Sequence, residues 1–489
     1  MSENKIKKIS LVQRKTTFKE VSLGFSKSQA LVEAKRCLQC KNSPCVRACP
    51  VNIDIKEFIR RIVNKEYSGA LNKIREKNNL GAVCGRVCPQ EELCQRGCVL
   101  NKTKNPIKIG YLERFAADYG GRNEGRRTKD EERRMKDDKE NIFCRSSFVR
   151  ASETSSRPSC FGLKYKQKVA VVGSGPAGLV CAGELVKKGF SVEIFEALHK
   201  PGGVLVYGIP QFRLPKNIID NEVSYIKSLG VKVHANFFVG KTKTITQLRG
   251  DGFSAFFIGV GAGAPLFLNI EGENLNGVYS ANEFLTRINL MKAYLFPKYH
   301  TPVNVGKRVG VIGAGNVAFD CARSALRLGA KEVFIIYRRT RKEVPAREEV
   351  VENAKEEGIE FKFLTAPVQI ISDGKGNVVG AVCIKNKLGF VDSSGRKSPV
   401  PIEGSEFRIN LDTIVFAIGT SANPLFIQTV KGLVLTKRGY IEVDDNFQTS
   451  IPEIFAGGDI VSGSATVISA IQQGKVAAVS IEKYLKKES

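Results

Sequence analysis

Two stretches of this chain, 168–196 and 308–339, repeat one order of elements: a short apolar strand, a glycine-rich turn, a helix and a second strand. The first reads KVAVVGSGPAGLVCAGELVKKGFSVEIFE and the second RVGVIGAGNVAFDCARSALRLGAKEVFIIYRR. From 166 onward, short apolar runs alternate with helical segments, which is the pattern of parallel α/β sheets. At 489 residues the chain is too long for one core, and three domains is the natural division.

The turn residues carry chemistry. In the first unit Gly173 permits a tight turn and Gly175 lets the backbone approach a pyrophosphate. Pro176 and Ala177 open the helix, Gly178 allows close helix packing, and the phosphate rests on the helix N-terminus. Glu196 follows Gly178 by 18 residues, where an acid hydrogen-bonds a ribose hydroxyl. A terminal stretch, IFAGGDIVSGSATVISAIQQGKVAAVSIEKYL at 454–485, runs a strand into Gly-Gly-Asp and then a long helix. In flavoproteins with two dinucleotide domains such a returning segment supplies an Asp to the ribityl chain of FAD. Asp459 fits that role, with Thr466 near the flavin ring and Gly203 in the PGGVLVYGIP loop. Taken alone, Asp459 reads as a helix cap or turn residue.

The second unit places Gly313, Gly315 and Ala318 in the glycine positions, with Asn316 and Val317 between them. Its second strand ends not in an acid but in Tyr337-Arg338-Arg339. An acid would repel a 2′-phosphate, whereas arginines clamp it, so NADP(H) is expected over NAD(H). The bland alternative is that these arginines solvate a strand end. No CxxC or CxxxxC accompanies the first site, so thiol–disulfide chemistry is not expected. Cys144, Cys160, Cys181, Cys321 and Cys383 read as buried or linker thiols.

Eight of the 13 cysteines lie between 37 and 98. They form Cys37-x2-Cys40-x4-Cys45-x3-Cys49-Pro50 and Cys84-x3-Cys88-Pro89-x4-Cys94-x3-Cys98. Three close thiolates followed by Cys-Pro is the ferredoxin-like arrangement, and two groups of four suit two 4Fe–4S clusters. A pair of structural zinc sites is the alternative, although neither group contains a second CxxC. A secreted disulfide scaffold would need a signal peptide and a short chain.

The formal charge of +27 invites a nucleic-acid reading. The charge is spread along the chain, however, with a local excess in 121–168 and no nucleic-acid motif beside it. Solubility and steering of acidic redox partners explain it better. No run of about 18 apolar residues is present, so no membrane span is expected. The basic, polar start lacks a secretory h-region. A cytoplasmic location is expected, with a cleaved organellar presequence as the alternative. The charged and Ser/Arg-rich stretch 121–165 reads as a flexible linker or insertion.

Together the motifs CLQCKNSPCVRACP, CGRVCPQEELCQRGC, IGYLERF, GSGPAGL, GGVLVYGIPQFRLPK, IGAGNVAFD, YRRTRKEVPAR and AGGD resemble one family. Residues 25–120 and 166–489 resemble the small (β) subunit of NADPH-dependent glutamate synthase. The resemblance is closest to its relative, the large subunit of ferredoxin–NADP oxidoreductase, also called sulfide dehydrogenase. The N-terminal half of dihydropyrimidine dehydrogenase is similar too. The resemblance implies an α-helical iron–sulfur domain at 1–120 and two Rossmann-like domains. FAD would sit in 166–290 with 411–489, and NADPH in 291–410. It further implies that Cys37, Cys40, Cys45 and Cys98 hold one cluster. Cys49, Cys88, Cys94 and Glu113 would hold the other, leaving Cys84 spare. Electrons would pass from NADPH through FAD and the clusters to a partner subunit, a glutamate synthase large subunit or a ferredoxin-type subunit. A stand-alone oxidoreductase with its own small substrate is the competing expectation.

Overall fold

The computed structural model describes residues 6–121, 162–392 and 395–487. Residues 122–161, most of the expected linker, lie outside the described residues, as do Cys144 and Cys160. The first unit is helical: α1 (Lys27–Lys35), α2 (Ile55–Val63), α3 (Tyr67–Arg75), α4 (Gly81–Val87) and α5 (Ile109–Gly120). Helix α2 forms where Asp54 caps it by accepting from Glu57 N at 3.2 Å. Its residues Ile55, Phe58, Ile59 and Ile62 fall on one face and are buried together. At Gly85 helix α4 crosses α5 so closely that a Cβ would sit 2.6 Å from the backbone N of Arg114. That contact brings Cys84 of α4 near Glu113.

From 168 the chain lays down β1 (Lys168–Val172), α6 (Pro176–Lys187), β2 (Ser191–Phe195), α7 (Val204–Tyr207), α8 (Lys216–Ser228), β3 (Lys232–His234) and β4 (Phe253–Ile258). It then builds β5 (Val278–Ser280), α9 (Ala281–Asn289), β6 (Arg308–Ile312), α10 (Asn316–Arg327), β7 (Glu332–Tyr337), α11 (Glu348–Glu356) and β8 (Glu360–Phe363). Strands β9 (Thr365–Ser372), β10 (Val378–Val391), β11 (Lys397–Pro401), β12 (Phe407–Asn410) and β13 (Thr413–Phe416) follow. The chain returns with β14 (Ile454–Ala456) and the long helix α12 (Val467–Lys487).

Strands of the first sheet run parallel in the order β14-β4-β1-β2-β3, and those of the second in the order β5-β13-β6-β7-β8. Their central strands are buried along their length, and in the second sheet one face packs on helices and the other on the antiparallel strands. An antiparallel sheet of β9, β10 and β11, with β12 paired to β10, leans on the second unit. Val278–Ser280 and Thr413–Phe416, outside the expected 291–410 span, pair within the second sheet. The two chain crossings meet as a short antiparallel pair, Ala264–Pro265 with Thr420–Ser421.

The cysteine domain shares one continuous apolar core with the first sheet. Ala82 N donates to Glu222 Oε1 of α8 at 2.8 Å, and Asn79 Nδ2 to Glu184 Oε1 of α6 at 3.0 Å. Residues ahead of α1, grouped with the cysteines in the sequence reading, also reach the other units. Val21 N donates to Phe212 O at 3.0 Å, and Arg327 Nε of α10 donates to Thr17 O at 3.1 Å. Glu20 pairs with Arg86 of α4 at 2.8 Å and with Arg114 of α5 at 3.0 Å. Among the described residues no helix is long and apolar enough to cross a membrane.

Candidate redox and dinucleotide sites

Strand β1 delivers the chain into the first glycine turn. Gly173 has φ +96°, and a Cβ there would stand 2.6 Å from Gly259 O, so a side chain is excluded twice over. A Cβ at Gly178 would meet Gly173 O at 2.1 Å, which is why helix and turn can nest. Gly175 caps α6, with Pro176 and Ala177 following it. Glu196 is buried at the end of β2 and accepts from the backbone N of Ser174 at 2.9 Å and of Leu198 at 2.8 Å. The Ser174 hydroxyl donates to it as well and accepts from Gly202 N at 2.9 Å. Glu196 therefore ties the turn to the strand end and to the Gly202-Gly203 loop.

The returning segment meets this turn. Gly474 of α12 packs where a Cβ would be 2.3 Å from Ala177 O. Asp459, half-buried, accepts from Ala465 N at 3.3 Å, and burial pushes its carboxyl up. Thr466 is exposed ahead of α12, its hydroxyl accepting from Ser469 N at 3.2 Å. Sequence reasoning passed over Tyr207 within its own motif. Burial pushes its phenol up to about 12, and the charges of Asp459 and Glu196 add to that. The tyrosine thus feels the charge of both acids. These residues fit an FAD: two glycine positions without room for side chains, one buried acid at the ribose end and a returning Asp.

The second turn repeats the geometry. Gly313 has φ +124° and its Cβ would stand 2.3 Å from Ala417 O. A Cβ on Gly315, the cap of α10, would meet nothing within 4 Å, which leaves space for a diphosphate to approach the backbone. Val317 is exposed there and Ala318 is buried. Asn316 Oδ1 accepts from Arg347 N at 3.2 Å. The two arginines expected on a 2′-phosphate part company. Arg338 is exposed, whereas Arg339 is buried, donating to Lys397 O at 2.7 Å and pairing with Asp392 at 2.5 Å. Both arginines lie just past the end of β7, and of the two only Arg338 is exposed.

Arg347 was not singled out from the sequence. Its guanidinium donates to both oxygens of Glu91, at 2.8 and 3.2 Å, across into the cysteine domain. The helix start that would hold a dinucleotide is thereby wired through Asn316 and Arg347 to the loop between Cys88 and Cys94.

The structure brings the cysteines into two groups. Cys37, Cys40, Cys45 and Cys98 line one cavity of about 400 Å3, mouth included, whose other walls include Leu38, Ile55, Ile59 and Ile107. Burial pushes the Cys45 thiol up to about 11, with Cys37 and Cys98 adding to it. Deeper, Cys49, Cys88 and Cys94 are buried with Glu113. Burial raises the thiols of Cys88 and Cys94, and the charges of Glu113 and Cys49 push both further. Burial also pushes Glu113 up to about 8, against the hydrogen bond that Asn78 Nδ2 makes to it at 3.3 Å. Cys84, expected to be spare, lies with this group: it hydrogen-bonds Asn78 and feels Glu113 and Cys88.

Four thiols around a space, and three thiols with a buried acid lacking a cation, are donor sets that want a polynuclear positive centre. Among the described residues no three His, Cys, Asp or Glu side chains stand close enough together to hold a single metal ion.

Two parallel dinucleotide folds behind a cysteine-rich helical head define a pyridine-nucleotide oxidoreductase with an iron–sulfur domain. Residues 14–125 match the family described as dihydropyrimidine dehydrogenase domain II, 4Fe–4S cluster, and 167–474 match pyridine nucleotide-disulphide oxidoreductase. The chain is 35% identical over 480 residues to the glutamate synthase [NADPH] small chain of Escherichia coli, covering 96% of this chain and 95% of that one. The chain belongs to this family. It is also 40% identical over 453 residues to the NADP(+)-dependent formate dehydrogenase subunit beta of Moorella thermoacetica. It spans 60% of the length of that larger subunit. In fold it matches FprA of Mycobacterium tuberculosis in complex with NADPH, with a TM-score of 0.55 at 21% identity over 68% of this chain and 85% of that one.

Proposed function

We propose that the chain takes electrons from NADPH at the 313–318 turn and delivers them, through FAD and two 4Fe–4S clusters, to a separate redox protein. The observation that carries this reading is the placement of the cysteine groups in series. The deeper group adjoins α8 and α6 of the flavin-side unit, and the other opens toward the surface. Gly173, Gly175 and Gly178, with Glu196, Asp459 and Tyr207, would hold FAD. Cys37, Cys40, Cys45 and Cys98 would hold the outer cluster, and Cys49, Cys88, Cys94 and Glu113 the inner one. When bound, FAD accepts a hydride and the clusters carry single electrons, chemistry that no side chain supplies. The protein contributes position, dryness and charge.

A partner is supported by the surface at the outer group. Leu38 and Val99 are exposed on the rim of its cavity. The segments carrying its cysteines also expose Lys41, Arg47, Arg96, Lys102 and Lys104. An acidic electron carrier fits that rim. The partner could be a synthase-type or ferredoxin-type subunit. Lys41→Glu with Lys102→Glu is expected to slow reduction of an acidic carrier by about tenfold at low salt. The difference should shrink as ionic strength rises, while flavin reduction by NADPH stays unchanged in stopped-flow traces.

The test of the function itself is anaerobic reconstitution with iron, sulfide and FAD, followed by NADPH. Bleaching of flavin bands with appearance of two interacting cluster signals in electron paramagnetic resonance is expected. Flavin bleaching with no cluster signal would instead mark a stand-alone oxidoreductase.

A further inference from the structure

The segment that enters α4 is held from two sides. Asn78 and Asn79 are adjacent and fully buried. Asn78 Nδ2 donates to Glu113 Oε1 at 3.3 Å, and its Oδ1 accepts from Leu80 N at 3.0 Å, so this side chain belongs with the inner cysteine group. Asn79 is bound to the flavin-side unit instead. Its Nδ2 donates to Glu184 Oε1 of α6 at 3.0 Å, and its Oδ1 accepts from Lys187 Nζ of the same helix. Gly183 makes room for it, since a Cβ there would stand 2.9 Å from Asn79 Nδ2. Lys187 Nζ also donates to Arg75 O at 3.1 Å, and Lys475 Nζ of α12 to Lys77 O at 2.7 Å. The two lysines thus satisfy carbonyls at and just past the end of α3. Glu184 pairs with both of them, at 3.4 and 3.6 Å.

Helix α6 begins at the first glycine turn, and α12 begins just after Thr466. Helix α4 carries Cys84 and ends at Cys88. We propose that Asn79 is a positioning residue which, with Lys187, sets the separation between FAD and the inner cluster, and so the rate at which electrons leave the flavin. This rests on the reading that places FAD and two clusters in series. Of the two electrons in the hydride of NADPH, one ends on each 4Fe–4S cluster, and the proton goes to water. Electron transfer falls steeply with distance and asks no acid–base work of a side chain. A group that fixes the separation therefore acts on this step and not on the hydride step. Losing Asn79 also strands buried partners, Glu184 Oε1 and the Lys187 ammonium, which favours a shift of the segment over an unchanged gap.

The experiment follows flavin bleaching and cluster bleaching separately, by anaerobic stopped flow, in protein loaded with FAD and clusters and mixed with NADPH. Asn79→Ala and Lys187→Met are each expected to slow cluster bleaching about tenfold, with flavin bleaching at the wild-type rate. Lys187→Arg should keep most of the wild-type rate. Hydrogen exchange gives a reading independent of activity: the backbone amides of 80–84 should exchange faster in both slowed variants, with iron content unchanged. Cluster bleaching at the wild-type rate in Asn79→Ala and Lys187→Met overturns the proposal and leaves the series reading in place. An equal slowing of flavin bleaching also overturns it, because the loss is then general. Absence of cluster bleaching from the wild-type protein would sink the series reading, and the proposal with it. Should Asn79→Ala lose iron, Lys187→Met, which lies outside the cysteine domain, decides.

Discussion

Cys98→Ala is expected to remove about half of the reconstituted cluster iron while leaving NADPH able to reduce the flavin at its usual rate. Cys98 lines the outer cavity with Cys37, Cys40 and Cys45, although it lies more than 50 positions away from them in sequence. Loss of a group that merely orients a metal ligand costs about 10–100-fold, and loss of a ligand itself belongs at or beyond the upper end. Delivery to an external carrier should therefore fall by on the order of a hundredfold. Iron analysis and the separate rates of flavin bleaching and carrier reduction check this. Cys84→Ala is the contrasting variant: its iron content should stay at the wild-type level if Glu113 completes the inner cluster. Equal iron loss in both variants would show that Cys84 is a ligand and that Glu113 is not.

The second large effect is on stability. Glu357 is fully buried and accepts from Arg323 at 2.8 and 3.0 Å and from Arg327 at 2.8 and 3.0 Å. Those two guanidiniums also lie over the Phe212 ring, at 4.7 and 4.0 Å from its centre, and Arg327 reaches Thr17 O. Strap, flavin-side unit and nucleotide-side unit thus meet at one carboxylate. Glu357→Gln leaves two buried cations without their counter-charge, a loss of about 3–5 kcal/mol. Calorimetry should register a clearly lower thermal midpoint.

The pH dependence has a definite sign. Burial pushes Glu357 up, but the bonds from Arg327 and Arg323 outweigh it and hold the carboxyl below its ordinary 4.5. A depressed carboxyl stabilises fully above its unfolded value and loses that contribution as the pH falls through the folded one. The gap in midpoint between wild type and Glu357→Gln should be constant near neutrality and narrow below about pH 4.5. A gap that widened in acid would contradict the assignment.

Both glycine turns were legible in the sequence because each contains its own strand, turn and helix. Gly173, Gly178 and Gly313 meet atoms that are local or one strand away. The two cysteine groups needed more. Spacing could not assign Cys98 to the first group or Cys49 to the second, because those approaches join distant segments of the chain. Long-range pairing also hid the unit boundaries: Val278–Ser280 is three residues long and takes its sheet from a partner far along the chain. The Arg338-Arg339 pair shows two charges in the sequence, and the internal bonds of Arg339 to Lys397 O and Asp392 were not legible there because those partners lie more than 50 positions away. Arg347 gave no signal, since its partner Glu91 is 256 positions away.

The first sheet obtains its edge strand, Ile454–Ala456, only after the whole of the second unit has been made. During synthesis the nucleotide-side unit, with strands from 278 to 416, is therefore complete while the flavin-side sheet still lacks an edge. Helix α12, whose Gly474 nests on Ala177, comes later still. On the ribosome β4 is therefore left unpaired on one side until the last strand arrives.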